Sequence, residues 1–529
     1  MAARRIKWLR MNQMIHSIGQ LLKQVKNEEA VKFFESSISQ IPSDDHTARS
    51  RAYERGISAF LDHKRFEDAL KFYEKMSAEV EVQASSGLRA KMLVCSSIVK
   101  APDEQRGELS SLFNRLSRVI SSLSYSELKL CQLLEVMKSH PLLNSQFVSN
   151  VVDKYVDSRG SELYLKPNTI NELVRFYAHV GSIDIAENLV VSHQDSNSGP
   201  KPAHASPFTT LINELTARDF LSSSRLKTLL DTMRQSQIKV DLPLLNVLVQ
   251  AAVRKQNFHQ AFDLYETILN DTAPHMIPDS FVFGSLFNAL QRIWTSRSPS
   301  LRRMRQPPNA PTPRQLFRQM LECHVLAIQA ADPRTHPVVR ISTLNVALRV
   351  FMLSADYAAA FVALQTFSAL NLKPDARSYR FVLTILLAHL KLGHLQATDQ
   401  PSSQYPSCYA IWAINFLGGP ARLARIQPED MRPEFAAALL EFAMGGTEYR
   451  IPPLAIILGD EEVPLRKVDR WDVEPLERLV ARAILATMPR RSANDEQAER
   501  ALLEKLAPYF YEMVPDKLWR GRRLRRATG

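Results

Sequence analysis

Residues Ile341–Asp375, ISTLNVALRVFMLSADYAAAFVALQTFSALNLKPD, decide the fold of this 529-residue chain. In the first half Leu344, Ala347, Leu348 and Phe351 recur at helical spacing, and Tyr357, Ala360, Phe361 and Leu364 do so in the second. Ser354-Ala355-Asp356 between them reads as a short turn, and Asn371 to Pro374 ends the second helix with a proline stop. The segment is a helical hairpin. A single hairpin cannot bury both of its faces, so it needs stacked neighbours to complete a core.

The same frame can be laid over Leu242–Asp279, Ala205–Asp241, the stretches from Pro167 and from Ser50, and loosely from Met11. In these six frames the twentieth residue is Ala30, Ala69, Ala186, Ser224, Ala261 and Ala360, small enough for the second helix to approach the first closely. The gap between Ala69 and Ala186 leaves room for two degenerate repeats. Residues 280–340 read as one more hairpin carrying a basic, Pro-rich inserted loop at about 294–313. After residue 395 the period fades, although helical patterns continue. The expected fold is all-α, an α-solenoid of about eight to ten helical-hairpin repeats of about 35–39 residues each, with a helical C-terminal region. The expected organisation is a basic N-terminal segment at 1–27, degenerate repeats at 28–166, clearer repeats at 167–395, and a C-terminal region at 396–529 with a basic tail.

Composition agrees. Apolar residues make up 45% of the chain and charged residues 23%, as in a globular protein with a real core, and only 16 glycines are present, few for a sandwich or a glycine-rich nucleotide fold. No apolar run reaches the roughly 18 residues of a membrane span. Cys95, Cys131, Cys323 and Cys408 are far apart and form no C-x-x-C pair, which excludes a disulfide-stapled small domain and a zinc site built from paired cysteines.

The net charge of +12 is unevenly placed. Residues 1–27 carry Arg4, Arg5, Lys7, Arg10, Lys23 and Lys26 and no acid; residues 280–340 and the last 13 residues are also strongly basic. The rest of the chain is net negative. An acid-free, arginine-bearing start with apolar Ile6, Trp8, Leu9, Met14 and Ile15 fits an amphipathic mitochondrial transit peptide, although the apolar pattern runs on from Ile15 into the first repeat-like helix. The expected location is the mitochondrial matrix. A basic first helix on a cytosolic protein is the other reading.

A hairpin period near 35, with a Pro-Asp terminator and Asn at the fifth position of the following helix, resembles the pentatricopeptide repeat family. Asn345 with Lys373-Pro374-Asp375, Asn246 with Pro278-Asp279, and Thr209 with Asp241 carry the likeness. The tetratricopeptide repeat, also a helical hairpin, has tryptophan and glycine landmarks that are not found here. The resemblance implies binding of single-stranded organellar RNA, mRNA or rRNA, one base per repeat. It places base contacts on the fifth and last residues of a repeat, here Thr209/Asp241, Asn246/Asp279 and Asn345/Asp375, with preferences for G, U and U. Chemically an amide or hydroxyl can bond a base edge while the aspartate orients it. The flanking stacking positions are Ser206, Pro243, Phe281 and Ser342, where the family usually has a branched aliphatic residue. A structural hydrogen bond inside the hairpin is the other role open to Asn246 and Asn345.

Phosphate contacts fall to the basic loop and tail: Arg302, Arg303, Arg305, Arg520, Arg522, Arg523, Arg525 and Arg526. No H-x-E, phosphate loop or G-x-G-x-x-G occurs, and the acidic triplet Asp460-Glu461-Glu462 reads as a solvated loop. No metal, cofactor or catalysis is expected. The expected function is non-catalytic RNA binding that affects RNA stability, processing or translation. A repeat scaffold acting in mitochondrial ribosome or respiratory-complex assembly, with protein partners, is the alternative.

Overall fold

The computed structural model describes residues 2–79, 82–100, 107–160, 165–195, 205–270, 276–294, 307–308, 310–330, 337–399, 408–424, 433–458, 471–488, 495–515 and 518. No strand occurs among the described residues. The chain divides into two compact units, Met1–Val240 and Asp241–Gly529. The first unit holds six hairpins: Ala2–Lys23 with Asn27–Ser39, His46–Asp62 with Phe66–Ala78, Ser86–Lys100 with Gly107–Ile120, Glu127–Met137 with Ser145–Asp157, Pro167–His179 with Ile183–Asp195, and Ser206–Ala217 with Ser223–Gln235. The second unit opens with Leu242–Arg254 and Phe258–Asn270, Ser280–Trp294 and Pro313–Ala330, and Ile341–Leu353 and Tyr357–Ala369. This is an all-α solenoid architecture, and the two hairpins between Ala69 and Ala186 are both present.

One closing turn recurs along the chain. Val25, Lys64, Gly181, Asp219, Gln256 and Ala355 all have positive φ, between 55° and 80°. The amide that follows each of them reaches back over the end of the first helix. Lys26 N donates to Leu21 O, Arg65 N to Phe60 O, Ser182 N to Tyr177 O, Phe220 N to Leu215 O, Asn257 N to Ala252 O and Asp356 N to Phe351 O, all at 2.8–3.0 Å. A left-handed residue followed by this long back-bond is how a helix C-terminus satisfies carbonyls that have no partner within the helix. Only Gly181 adopts that conformation without a Cβ cost, and Val25, β-branched, bears the largest.

Close helix approach also repeats. Ala30, Ala69, Ala186, Ala261 and Ala360 are all fully buried, each at the fourth position of its second helix. Ser224 departs from the expectation: it is exposed, because that helix begins at Ser223 and Leu226 takes the fourth position. Where the first two hairpins meet, Gly56 lies so near the Phe34 ring that a Cβ would sit 2.2 Å from it. The N-terminal helix is part of the array as well. Its Met14, Ile18 and Leu22 are buried, and it packs against Asn27–Ser39 and His46–Asp62.

In the second unit the first helices Leu242–Arg254, Ser280–Trp294, Ile341–Leu353 and Ala376–Asp399 pack side by side in a row. Of the C-terminal helices, Glu474–Ala486 and Asp495–Met513 cover the second helix of the last hairpin, Cys408–Leu417 packs on Ala376–Asp399 and Glu474–Ala486, and Pro433–Met444 packs on Glu474–Ala486. Helix Tyr357–Ala369 packs against both Glu474–Ala486 and Asp495–Met513, which explains why Ala358 through Leu364 are all buried. Each large apolar side chain buried there contributes about 1.5–3 kcal/mol. Arg314 ties the two layers together, donating to Asp356 at 2.7 Å and to Glu512 at 3.1 Å while its guanidinium lies over Tyr509. Trp412 stacks on Tyr357, whose hydroxyl bonds His389 at 2.7 Å, and burial pushes the His389 imidazole down to about 4.

Two outcomes follow for stability. Val25→Gly removes a left-handed β-branched residue and raises stability by about 1 kcal/mol in chemical denaturation. Glu477, held in the covered layer, has its carboxyl pushed up to about 7 by burial and by nearby Glu474. The folded state therefore holds a proton that the unfolded chain releases near its ordinary value of 4.5, and stability falls as pH rises between those two values. Glu477→Gln raises the melting temperature at pH 8 and leaves it unchanged at pH 4.

Candidate nucleic-acid interface

The residues named as base-contacting pairs sit where one repeat hands over to the next. Asp241, Asp279 and Asp375 each cap the first helix that follows. Asp241 Oδ1 accepts from Leu244 N at 2.9 Å, Asp279 Oδ1 from Phe281 N and Val282 N at 2.9 and 3.2 Å, and Asp375 Oδ1 from Arg377 N and Ser378 N at 3.0 and 3.1 Å. A short carboxylate serves here because it reaches the free amides of the first turn and complements the helix dipole.

Two of the three pairs are joined directly. Asn246 Nδ2 donates to Asp279 Oδ2 at 3.1 Å, and Asn345 Nδ2 donates to Asp375 Oδ1 at 2.9 Å. The surroundings differ. Asn246 is half-buried but its Oδ1 is itself buried and has no partner, whereas Asn345 is only 3% exposed and its Oδ1 accepts from Ser378 Oγ at 2.5 Å. Thr209 belongs to the first unit and Asp241 to the second. Thr209 Oγ1 donates to Ala205 O at 3.0 Å within its own helix. That helix opens at Ser206, so its fifth residue is Thr210, one position later than the sequence frame gives.

Sequence reading passed over a fourth member of the series. Asn171 is the fifth residue of Pro167–His179, and its Nδ2 donates to Ser206 Oγ at 2.8 Å, with Oδ1 again unpartnered. Ala205, at the cap position, has no side chain to accept, so the amide bonds the next residue. The repeat frame laid from Pro167 contained the signal.

Of the flanking positions, Pro243 and Ser342 are exposed and Ser206 is half-buried. Phe281 is 57% exposed, and the Arg340 guanidinium lies 5.5 Å from its ring centroid. Along the row of first helices in the second unit, Pro243, Asn246, Gln250 and Arg254 form one solvent-accessible stripe, Phe281, Ser285, Asn288 and Arg292 the next, and Ser342, Val346 and Arg349 a third. The three helices contain no Asp or Glu within their bounds. Apart from the capping aspartates at their starts, the face is basic. Arg292 also donates to Val253 O at 3.0 Å, bridging two helices of the row.

Arg302, Arg303, Arg305, Arg520, Arg522, Arg523, Arg525, Arg526 and the triplet 460–462 lie outside the described residues. Cys95 and Cys323 are buried, which pushes both thiols up to about 12 and leaves them unreactive. No helix among the described residues is long and apolar enough to cross a membrane.

Residues 154–268 match a family model described as pentatricopeptide repeat-containing protein. Over those residues the chain is similar to the pentatricopeptide repeat family. The match begins within Ser145–Asp157 and ends within Phe258–Asn270, so it spans the Asn171 and Asn246 helices. No curated protein matches the chain. Among solved structures it is similar to the pentatricopeptide repeat protein PPR10 in complex with an 18-nt psaJ RNA element, at 13% identity over 85% of this chain and 75% of that one, with a TM-score of 0.19. PPR10 from maize gives 12% identity over 94% and 93% with a TM-score of 0.17, and a circular tandem repeat protein 11% over 96% of each with 0.15.

Asp279 is 1% exposed and serves two hairpins at once, capping one and accepting from Asn246 of the other. Asp279→Ala should cost about 1–2 kcal/mol in urea denaturation through loss of a helix cap. Asp279→Asn, which can still cap, should cost less.

Proposed function

We propose that this chain is a non-catalytic RNA-binding protein of the mitochondrial matrix. It holds single-stranded RNA against the exposed face of the first helices in residues 242–353 and affects RNA stability, processing or translation by occupancy alone. The observation that carries this reading is the absence of Asp and Glu from those three helices, together with Arg254, Arg292 and Arg349 supplied one per helix. Cations at regular intervals on a face without carboxylates suit a repeating anion, because each phosphate neutralised releases counterions.

Neutral chemistry between the arginines supports the same reading. Phe281 under Arg340 offers a surface on which a base can stack. The net negative charge of the rest of the chain lies on other helices, for example at Asp263 and Glu266 in Phe258–Asn270. Mitochondrial location draws its support from the acid-free sequence of residues 1–27.

The test is a titration of the full chain with single-stranded RNA over a range of salt concentrations. Arg254→Gln combined with Arg292→Gln should reduce the slope of log K against log salt by about 1.4, at roughly 0.7 for each phosphate no longer neutralised. An unchanged slope and affinity would remove this face from RNA binding.

A further inference from the structure

The row of first helices in the second unit does not end with Ile341–Leu353. Resting on the RNA-binding reading above, we propose that the nucleic-acid face continues onto Ala376–Asp399, where Phe381 beside Arg349 is a further base-stacking site, and that the face accepts any base. Its ligand is a single strand held by its phosphates and by the flat faces of its bases.

The first observation is that the solvent stripe carries on in register. Counted from the start of each helix, Pro243, Phe281, Ser342 and Arg377 share the second position. Ser285, Val346 and Phe381 share the sixth, and Gln250, Asn288, Arg349 and Thr384 the ninth. On the fourth helix Arg377, Thr384, Ala388 and Lys391 are exposed and Phe381 is half-buried, all at the spacing of one helix face. That helix has no Asp or Glu before its last residue, Asp399. It packs beside Ile341–Leu353, so the acid-free face spans four helices.

The second is a repeated pair of side chains. Ile341–Leu353 and its cap residue place an arginine over a phenylalanine of the helix on either side. The Arg340 guanidinium lies 5.5 Å from the Phe281 ring centroid, and that of Arg349 lies 5.1 Å from the Phe381 centroid. The cation is attracted to the face of the ring, which sets positive charge and an aromatic surface side by side. Every base has a π-face, so a stacking platform of this kind is tolerant of sequence.

The third is that the polar groups fixed well enough to tell bases apart face inward. Telling them apart takes a donor and an acceptor held together in one orientation. Asn246 Oδ1 is buried, and its Nδ2 donates to Asp279, itself 1% exposed. Asn345 is 3% exposed, donating to Asp375 and accepting from Ser378 Oγ. Arg380, the fifth residue of the fourth helix, donates to Ile457 O and Ile456 O. Gln250 and Asn288 do reach the stripe, but an amide that turns freely offers a donor or an acceptor to any base edge.

The experiment titrates the full chain with single-stranded RNAs of one length and composition in scrambled orders. Wild type, Phe381→Leu and Phe381→Tyr are compared, with circular dichroism confirming that each is folded. Wild type is expected to bind all the scrambled RNAs within about twofold of one another. Phe381→Leu keeps an apolar side chain but loses the ring, and is expected to weaken every RNA roughly tenfold, while Phe381→Tyr binds as wild type does. Undiminished binding by Phe381→Leu, or a preference above about tenfold among the scrambled RNAs, overturns the proposal and leaves the functional reading standing. Ultraviolet crosslinking of wild type is the readout that needs no substitution. Crosslinks to Ala376–Asp399 are expected; crosslinks to Ser280–Trp294 with none there overturn the proposal. Wild type that binds none of the RNAs overturns the functional reading and this proposal with it.

Discussion

Two antiparallel helices joined by a three-residue turn leave apolar surface on both sides, and the rest of the structure answers that constraint. Burying the surface requires a neighbour of the same shape, and the neighbour must arrive in register. The register is set chemically at the handover between repeats. An aspartate such as Asp279 caps the new helix through one carboxylate oxygen and accepts from an asparagine of the preceding repeat through the other. Cap and cross-link are the same residue, so the start of each first helix is fixed relative to the helix beside it. In the first unit Asn171 bonds the Ser206 hydroxyl, a cross-link without the cap.

That arrangement also prepares a surface. A side chain that locks two helices at their shared edge sits next to the solvent stripe of the row, and whether it can reach a ligand depends on what else it must satisfy. The Asn246 oxygen is buried without a partner; the Asn345 oxygen is taken. The difference comes from one hydroxyl, Ser378, and from the C-terminal layer packed over the neighbouring turn. The array must end somewhere, and its last apolar faces must be covered. Here the cover is made of helices from the same chain, which bury Tyr357 through Leu364 and take up Arg380.

Much of this was readable from the sequence. The spacing of Leu344, Ala347, Leu348 and Phe351, the turn at Ala355, the buried alanine of the second helix, and the two hairpins hidden between Ala69 and Ala186 all depend on interactions within about 40 residues. Local patterns carry such information. Misreadings arose where a local frame relied on a residue that could not do its part: Ala205 cannot cap, so the frame that chose Thr209 slipped by one, and the alignment through Ser224 slipped by two. Ser378 gave no signal because its role exists only once Asn345 and Asp375 are already in contact. The docking of Ile456, Ile457, Trp471 and Asp472 on 373–380 joins segments far apart in the chain, with no periodicity linking them. The acid-free stripe lay in plain sight, but charge summed over long stretches conceals charge sorted by helix face.

The central claim is that RNA lies along the first helices of residues 242–353. Ultraviolet crosslinking of the full chain to single-stranded RNA, followed by mass-spectrometric mapping of the crosslinked peptides, tests it most directly. The account predicts crosslinks in Leu242–Arg254 and Ser280–Trp294, with Phe281 among the modified residues. Crosslinks confined to the second helices or to the C-terminal region, or none at all, would contradict it.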